Sequence, residues 1–180
     1  NVLSQIQYGS LIPWAQLGGT ATTASIGQYL TTVTATQATH YAYDDAGRGI
    51  FAVDAAGNVT ETRYDSDGRV IWTLQYVNPI GTLASWNTAT IAAAVQVANP
   101  DATTVRGSGS VYDGAGNVIE ALDTLSATPS ATYTYNARGL KTSYTNRDGQ
   151  TWTYAYDSSG NMTEETGPVV TVASYASNGN

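Results

Sequence analysis

Five aspartates stand at positions where a carboxylate could serve as a general acid, a general base or a cation ligand. They are Asp44, Asp54, Asp65, Asp113 and Asp157, and each is followed three residues later by glycine. An aspartate that opens a four-residue turn bonds a backbone N–H two residues further on, and that role alone explains the pattern. Catalysis by a carboxylate pair would need a second, independent reason. We therefore predict no catalytic residues among these aspartates.

Two further candidates for chemistry are a calcium loop and a hydrolytic centre. The run Asp65–Gly68 hints at a calcium loop, but the remaining ligands and the distal glutamate of such loops are missing. His40 is the one histidine and no nucleophile-elbow sequence accompanies it, so we interpret it as a strand residue beside Tyr41. The chain has no cysteine, which excludes a thiolate metal site. The sequence predicts no metal, no cofactor and no enzymatic activity.

Two stretches of the sequence contain turns with the same spacing. In Tyr43–Gly68 and again in Tyr135–Gly160, the turn glycines are 10 and then 11 residues apart. The fourth residue of such a turn needs positive φ to return the chain as a hairpin with a bulge, and glycine adopts it without a Cβ clash. The predicted turn residues are Asp44 with Gly47, Asp54 with Gly57, Asp65 with Gly68, Asp113 with Gly116, Asn136 with Gly139, Asn146 with Gly149, and Asp157 with Gly160.

Between the turns, the side chains alternate with the period of a strand. In Gln150–Tyr156, for example, Trp152, Tyr154 and Tyr156 point to one face, and Thr151, Thr153 and Ala155 point to the other. The predicted fold is all-β, with repeated antiparallel hairpins in one long curved sheet and one or two short helices in the connections. The outer strands are expected at Val2–Tyr8 and Val169–Tyr175. The helices are expected at Thr23–Thr34 and at Ala89–Ala98, the second capped by Asn87 or Thr88 and ended by Asn99.

A longer repeat relates the first and second parts of the chain. Tyr8 and Tyr76 are 68 residues apart, and Tyr43 and Tyr112 are 69 apart. We interpret residues 1–180 as one repeat segment with sub-repeats of about 1–68 and 69–180, and we expect it to be an excerpt of a longer chain. The second sub-repeat departs from the first at Leu122–Thr132.

The composition narrows the classes of partner. The net charge is −7 and charged residues make up only 12% of the 180, whereas nucleic-acid binding and anionic membrane surfaces call for clustered Lys and Arg. No apolar run reaches membrane-spanning length. The sequence therefore predicts no nucleic-acid partner and no membrane span.

The recurring motif resembles the RHS-repeat, or YD-repeat, family. It occurs at Tyr43-Asp44, Tyr64-Asp65, Tyr112-Asp113 and Tyr156-Asp157, with Tyr135-Asn136 as a variant, and Arg or Asn follows most of the glycines, as is frequent in that family. The resemblance implies a spiral shell of hairpins. In bacterial secreted toxins such a shell encloses a C-terminal toxic domain, and in animal teneurins a related shell belongs to an adhesion ectodomain. The family's self-cleaving core segment, rich in Asp-Pro and Gly, has no match here.

Two functional hypotheses remain open. In the first, the chain is a wall segment of a secreted or cell-surface protein, with the rest of its shell and an enclosed toxin domain as partners. In the second, it binds a glycan or a receptor through aromatic residues, with Trp152 and Tyr154 as candidate contacts, although such residues more often pack across strands. We expect the helices at the rim or surface of the shell. Four charged residues are interpreted as solvated strand positions, namely Glu61, Arg63, Glu164 and Glu165.

Overall fold

The computed structural model describes residues 3–8, 21–30 and 35–169, which form one run of antiparallel hairpins. Hydrogen-bonded neighbours in the sheet follow sequence order from β1 to β11, so the all-β prediction is confirmed. The strands are β1 Ser4–Tyr8, β2 Ala35–Tyr43, β3 Gly49–Val53, β4 Val59–Tyr64, β5 Val70–Tyr76, β6 Val105–Tyr112, β7 Val118–Asp123, β8 Ala131–Tyr135, β9 Lys141–Asn146, β10 Thr151–Tyr156 and β11 Met162–Thr166.

Two helices lie in connections, α1 at Thr23–Leu30 and α2 at Thr88–Ala98, and a 3₁₀ turn at Ala102–Thr104 precedes β6. Positions 31–34 of the first predicted helix lie outside the described residues, as does Val2 at the start of the first predicted strand. Of the predicted strand Val169–Tyr175, only Val169 is described, and it is not part of a strand.

The chain divides into two compact units, residues 1–107 and 108–180. The boundary falls inside β6. The predicted sub-repeats, 1–68 and 69–180, were based on sequence spacing alone and stay a prediction.

A bulge precedes every turn that opens with tyrosine. The strand register shifts next to Tyr43 and Tyr64 in the first unit and next to Tyr112, Tyr135 and Tyr156 in the second. The turns closing at Gly57 and Gly149 have no such shift, because Val53 pairs with Val59 and Thr145 with Thr151 in unbroken register. The predicted one-residue bulge is therefore specific to the turns that begin with tyrosine.

Helix α2 supplies the core of the first unit. Ile91 and Val95 are its buried residues, and they pack with Phe51, Val53 and Val59 of the sheet. Each such aliphatic side chain contributes about 1.5–3 kcal/mol when fully buried. An uncharged helix with an apolar stripe gains most by covering a sheet face, and the expected position of the helices at the rim or surface of the shell stays a prediction.

Local capping fixes where α2 begins and ends. The Asn87 side chain accepts the Thr90 N–H at 3.0 Å, and the Thr90 hydroxyl accepts the Asn87 N–H at 3.2 Å, which forms a capping box. Asn99 ends the helix, and its side chain bonds the backbone of Asn78 in the loop after β5. The predicted cap at Asn87 and the end at Asn99 are confirmed.

The two hairpin sets carry their apolar residues on opposite faces. When Tyr43–Gly68 is aligned with Tyr135–Gly160, the core residues Phe51 and Val53 correspond to Ser143 and Thr145. The first set's outward Thr60 coincides with Trp152, which pairs with Tyr144 in β9. The second unit thus has an aromatic face and a hydroxyl face, and no helix among its described residues covers either.

Candidate functional site

All seven predicted turn glycines adopt positive φ. The values run from 74° at Gly139 to 92° at Gly160, and no other described residue has positive φ. In each turn the glycine N–H donates to the carbonyl of the residue three before it, as Gly47 does to Asp44 at 2.9 Å. The first residue's N–H then donates to the carbonyl four residues on, as Asp44 does to Arg48 at 3.0 Å. The strands between are therefore joined by five-residue closed turns.

Both oxygens of each turn carboxylate are engaged. Asp157 Oδ1 accepts the N–H groups of Ser159 and Asn161 at 2.9 Å each, and Oδ2 accepts Asn161 Nδ2 at 2.9 Å. Asp54 and Asp113 have the same arrangement with the asparagine that follows their glycine. Carboxylates held in this way stabilise the turn and have no free oxygen directed at a substrate.

Arginine replaces asparagine in this role at two turns. Arg48 Nε donates to Asp44 Oδ2, and Arg69 Nε to Asp65 Oδ2, each at 2.7 Å. Arg69 also pairs with Asp67 at 2.9 Å, so one cation already contacts both carboxylates of the suspected calcium loop. Sequence reasoning missed these side-chain bonds to the carboxylate, although the Arg or Asn after most of the turn glycines was their visible signal. Among the described residues no cluster of three or more His, Cys, Asp or Glu could hold a metal ion.

The motif tyrosines tie one turn to the next at the same end of the strands. The hydroxyl of Tyr64 donates to the Gly49 carbonyl at 3.0 Å, and that of Tyr156 to the Lys141 carbonyl at 2.7 Å. Tyr135 does the same to Val118 at 2.9 Å. Each acceptor lies two residues after the glycine of the preceding tyrosine-bearing turn, and we call this end of the strands in each unit the tyrosine end.

Arginine side chains add a second tie at the tyrosine end. Arg48 Nη1 donates to the Asp65 carbonyl at 3.0 Å, and its guanidinium lies 4.8 Å from the centre of the Tyr64 ring. In the second unit Arg138 Nη1 donates to the Asp157 carbonyl at 3.1 Å. The hydroxyl explains why the motif uses tyrosine, since phenylalanine has the same ring but cannot donate a hydrogen bond.

We expect Tyr64→Phe and Tyr156→Phe each to lower the free energy of unfolding by about 1 kcal/mol, because each leaves a carbonyl without its donor. The two sites lie in different units, so the double variant should lose about 2 kcal/mol. Urea denaturation measures the loss. Tyr144→Phe is the control: its hydroxyl has no hydrogen-bond partner among the described residues, and the change should stay within about 0.5 kcal/mol. Equal losses at all three positions would contradict the tie.

The turn carboxylates also predict acid sensitivity. The side-chain N–H of the following asparagine, then its backbone N–H, lowers the pKa of Asp113 and of Asp157. A folded-state pKa below the unfolded value of about 3.9 gives stability that is present above pH 4 and lost as the pH falls through the folded-state pKa. We therefore expect the turn carboxylates to make the denaturation midpoint fall below about pH 4.

Two turns provide the control for this acid sensitivity. Asn136 and Asn146 fill the same position without a titrating group, each accepting the N–H four residues on. The double variant Asp113→Asn with Asp157→Asn should therefore preserve the fold and lose less stability in acid. The measurement is the denaturation midpoint as a function of pH between 7 and 2.5. An unchanged acid loss in this variant would show that other groups cause it.

Glu61 is not a solvated strand position, so that interpretation is wrong for Glu61, whereas Arg63 is exposed as predicted. Glu61 is only 8% exposed, on the sheet face that α2 covers, and its carboxylate accepts Arg63 Nε at 2.5 Å and the Tyr76 hydroxyl. Burial, followed by the hydrogen bond to Glu61, raises the pKa of Tyr76 to about 12. Since charged residues are rarely buried without partners, Arg63 and Tyr76 are what allow Glu61 to lie here. Glu164, by contrast, is exposed as predicted.

The candidate glycan contacts lie on the aromatic face of the second unit. Trp152 and Tyr154 are both half-buried on β10. The Tyr144 ring lies between Tyr133, with centroids 5.6 Å apart, and Trp152, at 5.2 Å. The predicted cross-strand packing is therefore present, and it leaves part of each ring open to solvent. Contact with a glycan stays a prediction.

These features define a class of protein, the antiparallel hairpin repeat whose turns begin with Tyr-Asp and are tied together at one end. Residues 112–150 and 135–169 match the RHS Repeat family. The match agrees with the resemblance that the sequence motif had indicated for this part of the chain. Neither helix in the described ranges is long and apolar enough to cross a membrane.

Similarity to individual proteins is distant. No curated protein matches the chain. Among solved structures, the chain is similar to the TcdB2-TccC3-Cdc42 crystal structure, with 19% identity, 83% of this chain and 10% of that chain covered, and a TM-score of 0.30. It is also similar to the Photorhabdus luminescens Tc holotoxin pore, with 18% identity, coverage of 93% and 10%, and a TM-score of 0.31. The chain spans about a tenth of the length of those chains.

Proposed function

We propose that this chain is a wall segment of an RHS-repeat shell in a secreted or cell-surface bacterial toxin-type protein, and that the shell encloses a C-terminal toxic domain. The observation that supports the proposal is that the strands pair with their neighbours in sequence order from β1 to β11. The role is mechanical and needs no catalytic group. Its partners are the rest of the shell and the enclosed domain.

The mechanism follows from the backbone. Each inner strand satisfies its N–H and C=O groups with its two neighbours, so every added hairpin extends the wall without exposing new polar groups inside it. Ties such as Arg138 to Asp157 and Tyr156 to Lys141 hold successive turns together at the tyrosine end. A wall built in this way excludes water and proteases from what lies behind it.

Limited proteolysis of the full-length parent tests enclosure. The downstream domain should be protected in the intact protein and cleaved when expressed alone, and deletion of Asn136–Gly160 should remove the protection. Tyr144→Phe is the control, since it keeps the hairpin and its ties. A downstream domain that is cut as readily in the intact parent as in isolation would overturn the enclosure proposal.

A second candidate function is binding of a glycan or receptor through the aromatic face. It is supported by the half-exposed ring row that includes Trp152 and by the lack of a covering helix among the described residues of the second unit. A glycan array followed by a fluorescence titration tests it. Saturable binding should be lost in Trp152→Ala and kept in Thr151→Ala, which alters the opposite face of the same strand. Binding that survives Trp152→Ala would exclude this face.

A further inference from the structure

A pocket of about 440 Å³ lies in the first unit, where the turn 54–57 meets the loop 80–82. This volume is within the range of small-molecule sites in proteins, about 300–1,000 Å³. The polar or aromatic side chains lining it are Gln37, His40, Asp54, Thr82 and Trp86, and the remaining lining residues are small or aliphatic. Neither the turn ties nor the shell proposal uses this pocket.

Two stacked rings form one wall of the pocket. His40 on β2 and Trp86 before α2 lie parallel, with centroids 3.9 Å apart and planes 5° apart. In the part of the chain that the structure describes, neither the imidazole nitrogens nor the indole Nε1 has a hydrogen-bond partner. Packing alone would be served as well by an apolar ring in place of histidine. The pair therefore offers a flat surface together with unused polar atoms.

The opposite wall is fixed before any ligand arrives. The Ile80 N–H donates to the Gly57 carbonyl at 2.9 Å, and a Cβ added to Gly57 would lie 2.2 Å from the Ile80 carbonyl oxygen. At the turns closing at Gly68 and Gly149, an added Cβ would meet nothing within 4 Å. The turn at Gly57 is thus built against the loop, and a preformed wall lowers the entropic cost of binding.

The lining selects the chemistry of the ligand. Asp54 is the one charged lining residue, and no Lys or Arg is present, so an anion is disfavoured. Burial lowers the pKa of His40, so the neutral ring offers one donor and one acceptor. The Gln37 and Thr82 side chains also have no partner among the described residues. A cation accepts no hydrogen bonds and would leave these donors unsatisfied, whereas a sugar ring both donates and accepts.

We propose that this pocket binds one neutral monosaccharide unit, with Trp86 and His40 as its aromatic wall and Gln37 and Thr82 as hydrogen-bonding groups. The site is separate from the aromatic face around Trp152, and it stands whether or not the chain is part of an enclosing shell. Free sugar and the terminal unit of a longer glycan present the same chemistry, and the experiment below separates them.

Calorimetric titration of the full chain with the methyl glycosides of glucose, galactose, mannose and N-acetylglucosamine tests the site, alongside a glycan array. At least one neutral sugar should bind saturably. Thr82→Val and Gln37→Ala should each weaken binding about three- to tenfold, the effect of one lost hydrogen bond. Trp86→Phe, which keeps a ring in the core, should weaken it further, and Trp152→Ala should leave it unchanged. Binding only on the array would identify a glycan terminus as the source.

Several outcomes would overturn this proposal. They are no saturable binding of any neutral sugar on either format, affinity unchanged in both Thr82→Val and Gln37→Ala, and loss of binding in Trp152→Ala. Tetramethylammonium serves as a probe for the competing chemistry. Its saturable binding in the absence of any sugar binding would assign the pocket to cations instead. Thr82 and Gln37 are not core residues, so their variants keep the test decisive even if Trp86→Phe fails to fold.

Discussion

Arg63→Ala is expected to lower the free energy of unfolding by about 2–3 kcal/mol. The change leaves the buried Glu61 carboxylate with the Tyr76 hydroxyl as its remaining partner, and an uncompensated buried charge costs about 3–5 kcal/mol. We expect the lower figure because the Arg63 side chain is 52% exposed and water can partly replace it. Urea denaturation followed by tryptophan fluorescence measures the loss.

The second hairpin set supplies the matched compensation. In the alignment of the two hairpin sets, Thr153 and Ala155 correspond to Glu61 and Arg63. The double variant Glu61→Thr with Arg63→Ala should therefore recover to within about 1 kcal/mol of the original, because it removes both charges together. Arg106→Ala controls for general charge loss, since among the described residues that arginine bonds only the nearby Thr103 and Val105 carbonyls. A double variant no more stable than Arg63→Ala would contradict the buried-charge explanation.

Gly57→Ala is expected to destabilise the first unit by about 3 kcal/mol or more, compared with about 1–2 kcal/mol for Gly149→Ala. Both residues have similar positive φ, 86° and 78°, and so share the cost of placing a Cβ there. Only at Gly57 does the new Cβ also meet a backbone oxygen, 2.2 Å away on Ile80. Relieving that contact must also break the Ile80 to Gly57 hydrogen bond, and strain of this kind adds at least about 1 kcal/mol.

Denaturant midpoints of the two glycine variants, measured side by side, give the comparison. Gly68→Ala is a second control in the same unit as Gly57, because nothing lies within 4 Å of its added Cβ. If Gly57→Ala cost the same as both controls, the loop at Ile80 would not be held against the turn. That result would also remove the fixed wall from the proposed sugar site.

The turns could be predicted because their chemistry is local. Asp at the first position and Gly at the fourth determine the backbone bonds within five residues, so no knowledge of distant contacts was needed. The same holds for the Asn87 cap of α2, whose partner Thr90 is three residues away. Fold class followed directly, since two strands joined by such a turn pair as antiparallel neighbours.

The burial of Glu61 could not be predicted, because it depends on which face of the sheet α2 covers. Alternation along β4 separates Glu61 and Arg63 from Thr60 and Thr62, but it does not say which face is covered. Charged residues are exposed by default, and that default was wrong here. The stack of His40 on Trp86 was hidden for the same reason, since 46 residues separate two rings that meet only through the tertiary fold.

The reversal of faces between the two hairpin sets has a consequence for how this architecture can change. The turn residues determine the backbone path through their own side chains. Phe51 and Ser143, in contrast, occupy aligned positions of the two hairpin sets and differ completely in hydropathy. Different residues therefore determine the backbone fold and the chemistry of the surface. A strand could exchange its apolar and polar faces by substitution alone, with no insertion or deletion. Hairpins of this kind should accept grafted surfaces as long as the Asp, the Gly and the residue after it are kept.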